Sequence, residues 1–438
     1  MNSIVDPQSP EAAGAGAPSA VTRFLRGRLL AQMAGLRHGR LILRDSLGTA
    51  ELGAAAPHCG PVVRIDVLDM GFYRAVAANG SVGAGESWMD GQWLCDDLVG
   101  LIRLLVRNRE LLDGMETGLA RFGSLALRAW HSLQRNSRGG SRRNIAAHYD
   151  LGNDFFAQFL SDDLMYSSAI WDGEDDTLES ASTRKLELIC RRLDLKPGDH
   201  VVEIGTGWGG FALHAARHHG CRVTTTTISR EQHALAKERI DAAGLGERVT
   251  LLTEDYRDLR GRYDKLVSIE MVEAIGARYL DAYFRRLGAL LKDDGLALVQ
   301  AITIEDHRYA RALRSVDFIK RHVFPGSFIP SINALVAAKT RGSDLALIEL
   351  EDFGGSYART LQAWRERFKA RMPRLRAQGF DERFLRMWEF YLAYCEGGFR
   401  ERSIGVAHLL MAKPGWRPAP SPAPRAGVGA AARAQSGR

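Results

Sequence analysis

Apolar positions change their spacing along this chain, and the changes divide it. Between about residues 21 and 116, VVRIDVLD alternates apolar and polar residues as a half-buried strand does. DLVGLIRLLVRNRELL instead repeats its apolar residues at helical spacing. The stretch between them, NGSVGAGESWMDGQW, is rich in glycine and is expected to contain turns. From about residue 144, strand-like runs alternate with helical ones: HVVEIG then FALHAARHH, CRVTTTTI then REQHALAKERIDAA, VTLLTED, YDKLVSIE, and YLDAYFRRLGALL then GLALVQAITI. Strands interleaved with helices of this length predict an α/β fold, its parallel sheet covered on both faces. LALIELEDF, two long helical stretches and SIGVAHLLMAK end the pattern, predicting a final strand pair with room for one antiparallel member.

The same reading gives a domain plan. Residues 1–20 read as a flexible leader and 21–116 as a small N-terminal domain. Residues 117–143 read as a basic linker, 144–412 as the main α/β domain, and 413–438, rich in Pro, Ala, Gly and Arg, as a disordered basic tail. The longest apolar runs, such as LALVQAITI, fall well short of the roughly 18–20 residues a spanning helix needs. The N-terminus, with Asp6 and Glu11, lacks the apolar core of a secretory signal. Five scattered cysteines without CxxC spacing exclude a zinc ribbon, predict no metal and favour a reducing cytoplasm.

Net charge changes the picture only once it is located. The surplus is +7, compatible with nucleic acid, a membrane surface or anionic small molecules. Five basic residues lie from 413 onward (Lys413, Arg417, Arg425, Arg433, Arg438). Six arginines and no acid lie between 117 and 149 (Arg121, Arg128, Arg135, Arg138, Arg142, Arg143). Together these exceed the whole surplus, so the rest of the chain is net acidic and a nucleic-acid partner is not expected. A helical apolar stripe through Leu119, Phe122, Ala126, Trp130 and Leu133 makes the basic stretch amphipathic, as suits a segment that settles on anionic lipid.

VVEIG runs into TGWGG and then a helical pattern. Glycines at a strand-to-helix turn let backbone approach a ligand closely, with the helix N-terminus facing it. Gly205, Gly207 and Gly210 satisfy GxGxxG, but the acid wanted about 20 residues later for a nicotinamide dinucleotide is absent from CRVTTTTIS. What remains is Glu203 two residues before the first of four glycines, Gly205, Gly207, Gly209 and Gly210. A carboxylate there suits the amino-acid end of S-adenosyl-L-methionine, and Asp255 after the third strand suits the adenine amino group. Ser229 with Gln232 forms a capping box for the next helix.

With these motifs in hand, the chain resembles the cyclopropane-fatty-acyl-phospholipid synthases and the mycolic-acid methyltransferases. The resemblance runs from about 62 to 412 through GFYRAVAANGSVGAGESWMDG, HYDLGNDFFAQFLSDDLMYSSAIW, VVEIGTGWGG, TISREQ, EDYRDL, VFPGSFIPS and YLAYCEGGFRERSI. It implies a Rossmann-like seven-stranded methyltransferase sheet, a helical lipid-binding cover and a small N-terminal domain. It implies methyl transfer to the cis double bond of an acyl chain in a membrane phospholipid, by a cytoplasmic enzyme peripheral on the inner membrane face. The cofactor would be enclosed by Tyr149, Tyr166, Ser167, Glu203, the 205–210 loop, Thr227, Ser229, Gln232, Asp255 and Tyr256. A homodimer is a further expectation.

In that family a bicarbonate ion is thought to take the final proton. Here Ser168 stands for the family's cysteine, Ala274 for its histidine after the glutamate (Glu273), and Gln300 for its histidine at the fifth strand's end. Tyr357 and the Ile302 backbone remain as matches. Serine and glutamine still donate hydrogen bonds, so an altered anion site is compatible with these changes. The product is left open between a cyclopropane ring and a methylene or methyl branch, the latter calling for a partner reductase. Glu273, Tyr357, Gln300, Ser168 and Cys395 are the catalytic candidates. Cys395 matches a cysteine described as catalytic, although nothing in the chemistry requires a thiolate. His148 reads as packing or a donor behind Tyr149.

Overall fold

The computed structural model describes residues 18–53, 60–113 and 152–418. The leader through residue 17, the arginine-bearing connector with His148 and Tyr149, and the tail beyond 418 lie outside the described residues.

Seven strands build the main sheet: β5 (His200–Ile204), β6 (Arg222–Thr226), β7 (Val249–Leu252), β8 (Tyr263–Ile269), β9 (Leu291–Ile304), β10 (Ala346–Asp352) and β11 (Ile404–Ala412). Their order is β10-β11-β9-β8-β5-β6-β7. β5 to β9 pair in parallel, and β11 runs antiparallel to both β9 and β10. Each corresponds to a strand-like run in the sequence, including the single antiparallel member. Two apolar cores lie on the sheet's faces, one around Leu266, Phe284 and Val299 and the other around Ile189, Phe211 and Val223. The packed chain extends past the expected boundary at 412: the Lys413 amide donates to the Gly295 carbonyl at 2.9 Å, and Trp416 packs on the second core.

The N-terminal region adds a sheet that the sequence reading largely missed. β1 (Arg40–Asp45), β2 (Gly48–Gly53), β3 (Val62–Val67) and β4 (Trp93–Cys95) are ordered β2-β1-β3-β4. The glycine-rich stretch expected to form turns is mostly helical. The Gly71–Met89 helix is interrupted only at Gly80 (φ 56°, ψ −127°). Gly85 lies inside it because a β-carbon there would collide with the Phe318 ring. No helix among the described residues is long and apolar enough to cross a membrane.

The expected domain boundary is not a packing boundary. Leu41, Val63 and Trp93 share one continuous core with Phe155, Phe156, Trp364 and Trp388 of the cover over the main sheet. The cover consists chiefly of two helices, Gly354–Ala377 and Glu382–Arg400. The FF pair of the HYDLGNDFF motif is buried between them, with Phe155 4.7 Å and Phe156 5.7 Å from the Trp388 ring. Arg386 clamps the two regions, donating to the Trp88 and Trp93 carbonyls at 2.6 and 3.0 Å. Arg103 and Arg107 both donate to Glu401 at 2.7 Å.

Close approach at this seam depends on Gly397. A β-carbon there would stand 2.7 Å from Ile102 Cβ and 3.3 Å from the Val99 carbonyl oxygen. Gly397→Val is therefore expected to destabilise the protein by about 1–3 kcal/mol, read as a lower denaturant midpoint. Adding Ile102→Ala should cost less than the two separate effects combined, because it removes the obstructing side chain.

Candidate active site

The strand order places a topological switch between β5 and β8. From β5 the chain continues through β6 and β7 on one side, then crosses to β8 and β9 on the other. Ligands of open α/β sheets bind outside the carboxyl ends of the strands at such a point, and the candidate residues gather there.

Glu203, near the end of β5, is only 2% exposed. Thr225, its register partner on β6, donates from Oγ1 to Glu203 Oε2 at 2.6 Å. The Thr225 hydrogen being committed, Thr206 donates in turn to Thr225 Oγ1 at 2.7 Å. Burial pushes the Glu203 carboxyl up to about 8, opposed by Thr225 and by the charge of Lys185. Gly205 and Gly207 follow at φ 100° and 54°, a region costly to any residue with a β-carbon. A β-carbon on Gly207 would meet nothing within 4 Å, so the loop presents open backbone. Gly209 caps the next helix at φ 86°, whereas Gly210 is a packing glycine: its β-carbon would stand 2.5 Å from Met165 Sδ.

Thr227, Ser229 and Gln232 form a closed local network. Ser229 Oγ accepts from the Gln232 amide at 3.3 Å, which is half of the expected capping box. The other half is absent because the Gln232 side chain accepts from Thr227 Oγ1 at 2.9 Å instead. Asp255 takes a bidentate contact from Arg257 at 2.7 and 2.6 Å. Tyr256 Oη is buried without a hydrogen-bond partner among the described residues. An acid, an open glycine loop leading into a helix N-terminus, and an unsatisfied phenol fit S-adenosylmethionine. Tyr166 and Ser167 stand at the edge of this space. Tyr166 Oη lies 2.9 Å from Tyr391 Oη, and Ser167 Oγ accepts from Lys185 Nζ at 2.8 Å.

Beside the cofactor region lies an aromatic enclosure. Tyr166 is 5.4 Å from Trp364 and 6.4 Å from Phe324; Tyr391 is 6.0 Å from Phe324; Tyr357 is 4.4 Å from Phe399. Cys395 packs on this core, and burial pushes its thiol far above the ordinary range, which disfavours a reactive thiolate.

Four of the five catalytic candidates converge, but around a residue the sequence reading did not name. Glu270, the first residue after β8, accepts from the Ser168 amide at 2.9 Å and Gln300 Nε2 at 2.8 Å on Oε1. Its Oε2 accepts from Tyr357 Oη at 2.6 Å. The Ser168 hydroxyl itself turns away, donating to the Ala169 carbonyl at 2.9 Å. Glu273 accepts from the Ile302 amide at 2.6 Å, while its Oε2 is buried without a partner among the described residues. Burial, and then the neighbouring charge of Glu270, push the Glu273 carboxyl up to about 8, so it is chiefly neutral at pH 7.

The orientation of Gln300 follows from donor counting. Arg192 Nη1, which can only donate, lies 2.6 Å from His408 Nδ1. His408 therefore carries its hydrogen on Nε2 and donates to Gln300 Oε1 at 2.9 Å, leaving the amide NH2 for Glu270. Burial, then the charge of Arg192, pull His408 down to about 3, keeping it neutral. Lys185, fully buried, is a cation close enough to influence Glu203 and Glu270, and burial lowers it to about 8. Its signal was present in the sequence: a lysine on the buried stripe of the Leu178–Arg192 helix, with Ala181, Leu186 and Ile189.

Comparison with known proteins places this geometry in context. Residues 136–409 match the family described as mycolic acid cyclopropane synthetase. The chain is 36% identical to the tuberculostearic acid methyltransferase of Mycobacterium tuberculosis, over 91% of this chain and 93% of that one. It is also 36% identical to the cyclopropane-fatty-acyl-phospholipid synthase of Escherichia coli K12, over 80% and 87% of the two chains. A solved cyclopropane synthase from Mycobacterium tuberculosis matches with a TM-score of 0.58 at 28% identity, over 62% of this chain and 98% of that one. A mycolic acid cyclopropane synthase complexed with SAH and CTAB matches equally well.

The buried acid sets the pH dependence of ligand binding. An ammonium group needs Glu203 ionised, so below about 8 a proton must leave first. Calorimetric affinity for S-adenosylhomocysteine is expected to rise by up to about tenfold per pH unit approaching that value, then level off. Glu203→Gln should weaken binding by about 10- to 100-fold on the alkaline side and flatten the pH dependence.

Proposed function

The chain belongs to the mycolic acid cyclopropane synthetase family and is an S-adenosylmethionine-dependent methyltransferase, and from that premise we propose that it methylates the cis double bond of unsaturated acyl chains in membrane phospholipids. The observation that carries this reading is the contact between two surroundings of opposite character. Trp208, in the loop from Glu203 to Gly210, lies 5.1 Å from Phe156, which packs 5.3 Å from Tyr166 of the enclosure formed with Phe324, Tyr357, Trp364 and Tyr391.

When bound, the cofactor supplies an electrophilic methyl group on a positively charged sulfur. The protein's part is to orient that group through Glu203 and the loop, hold the alkene in line with it and exclude water. An alkene that gains a methyl becomes a carbocation, and the aromatic faces of the enclosure suit an acyl chain carrying that charge. A proton must then leave the added methyl. Its C–H electron pair closes a cyclopropane ring or, after a hydride shift, forms a methylene branch (C=CH2) on the chain.

We take the cyclopropane as the principal product. The methylene reading is favoured by Gln300 at the family's histidine position and by the likeness to the tuberculostearic acid methyltransferase. A methylene product would pass to a separate reductase. For access to lipid we propose peripheral docking on the cytoplasmic membrane face through the arginine-rich 117–149 stretch, which lies outside the described residues.

Radiolabelled methyl from S-adenosylmethionine is expected in the lipid fraction of vesicles containing cis-unsaturated phospholipid, and not with saturated vesicles. Equal labelling of both, or none of either, would refute the acceptor. Proton NMR of the isolated acyl chain then separates cyclopropane ring protons from the protons of a C=CH2 branch.

A further inference from the structure

The resemblance implies a bicarbonate ion held by Ser168, Gln300, Tyr357 and the Ile302 backbone. The residues present do not fit one. The Ser168 amide, Gln300 Nε2 and Tyr357 Oη are spent on Glu270, and the Ile302 amide is spent on Glu273. An added anion would stand beside two carboxyl groups and find these donors taken, and a buried anion without donors costs several kcal/mol.

Glu270 occupies its place in spite of local strain. Its φ of 49° lies in the left-handed region, which costs a residue with a β-carbon about 1–2 kcal/mol. Such strain persists where surrounding contacts over-determine it, and it gathers at functional sites. Here both carboxylate oxygens are held, from three different segments of the chain.

We propose that Glu270 is the built-in base of this enzyme: its carboxylate accepts the proton from the newly added methyl group, in place of an exchangeable bicarbonate ion. The assignment rests on the acceptor reading above. Oε1 already accepts two hydrogen bonds, from Ser168 and Gln300, whereas Oε2 accepts one, from Tyr357. The remaining lone pair of Oε2 takes the proton. The C–H pair left behind becomes the new carbon–carbon bond, and the carboxylate becomes a carboxylic acid that returns its proton to water after product leaves. Gln300 and Tyr357 are positioning residues in this scheme. His408 and Arg192 act one step further out by fixing the Gln300 amide. Glu273 is the neutral partner, held apart in role by the like charge beside it.

The test uses the full-length enzyme. Wild-type turnover on unsaturated vesicles should be the same in carbon-dioxide-free buffer as with added bicarbonate. Glu270→Gln should lower kcat by about 100-fold or more while leaving S-adenosylhomocysteine affinity within about twofold. Glu270→Asp should retain more activity than the glutamine variant. Independently of any acceptor, the wild-type complex with S-adenosylhomocysteine should leave the carbon-13 NMR line of labelled bicarbonate unbroadened. Bicarbonate-dependent wild-type activity, a broadened bicarbonate line or a wild-type rate in Glu270→Gln would each overturn the assignment. Failure of methyl transfer to vesicles would remove the acceptor reading, while the bicarbonate line would still report whether Glu270 fills the anion's place.

Discussion

A carboxylate taken out of water must be given a cation or enough hydrogen-bond donors, and this site poses that demand three times. Glu203, Glu270 and Glu273 stand at the ends of β5 and β8, and buried Lys185 is a cation that acts on the first two. One positive charge cannot neutralise three negative ones in a low-dielectric pocket, so the three acids divide their states. Burial raises the Glu270 carboxyl as well, opposed by its three donors and by the charge of Lys185. Glu203 receives one donor and awaits a cationic ligand. Glu273 receives a single amide and the repulsion of Glu270, and stays protonated.

That division reaches into the architecture. The amide of Gln300 faces Glu270 because His408, its register partner on antiparallel β11, donates to its oxygen. His408 has the right tautomer because Arg192 occupies its other nitrogen. Arg192 is fixed at the sheet's edge by Glu349 and Glu351 on β10. The antiparallel strand is therefore more than an edge closure, since it supplies the contact that orients a group in the site. The cover helices add Tyr357 and Tyr391, and their seating depends on the shared core with the N-terminal region.

Much of this was legible in the sequence where chemistry follows from local spacing. Each strand of the main sheet showed as an apolar run, and Glu203 with its glycines declared a ligand loop. The β1–β2 hairpin escaped because its strands are short and interrupted by charge, with only Leu41, Leu43 and Leu52 turned inward. Gly83 and Gly85 read as turn residues because glycine marks both turns and close helix packing, and sequence alone does not separate the two. Glu270 was overshadowed by Glu273 three positions on. Nothing in the spacing reveals that Glu270 turns back at positive φ, or that its donors come from residues as distant as Ser168 and Tyr357. Convergence from distant segments is a property of the fold.

A base carried by the chain differs physically from one captured from solution. A captured ion must be bound at each turnover, at a cost in translational freedom and in donors held open for it. A side chain meets those costs when the protein folds, through backbone strain at Glu270 and the desolvation of its carboxylate. In return the donors are occupied throughout the cycle, so the pocket need not admit a small anion or the water that would accompany it. Water exclusion matters most where a carbocation must survive until its proton is removed. A resident carboxylate and a closed aromatic enclosure thus answer the same hazard, the first by shortening the wait and the second by guarding it.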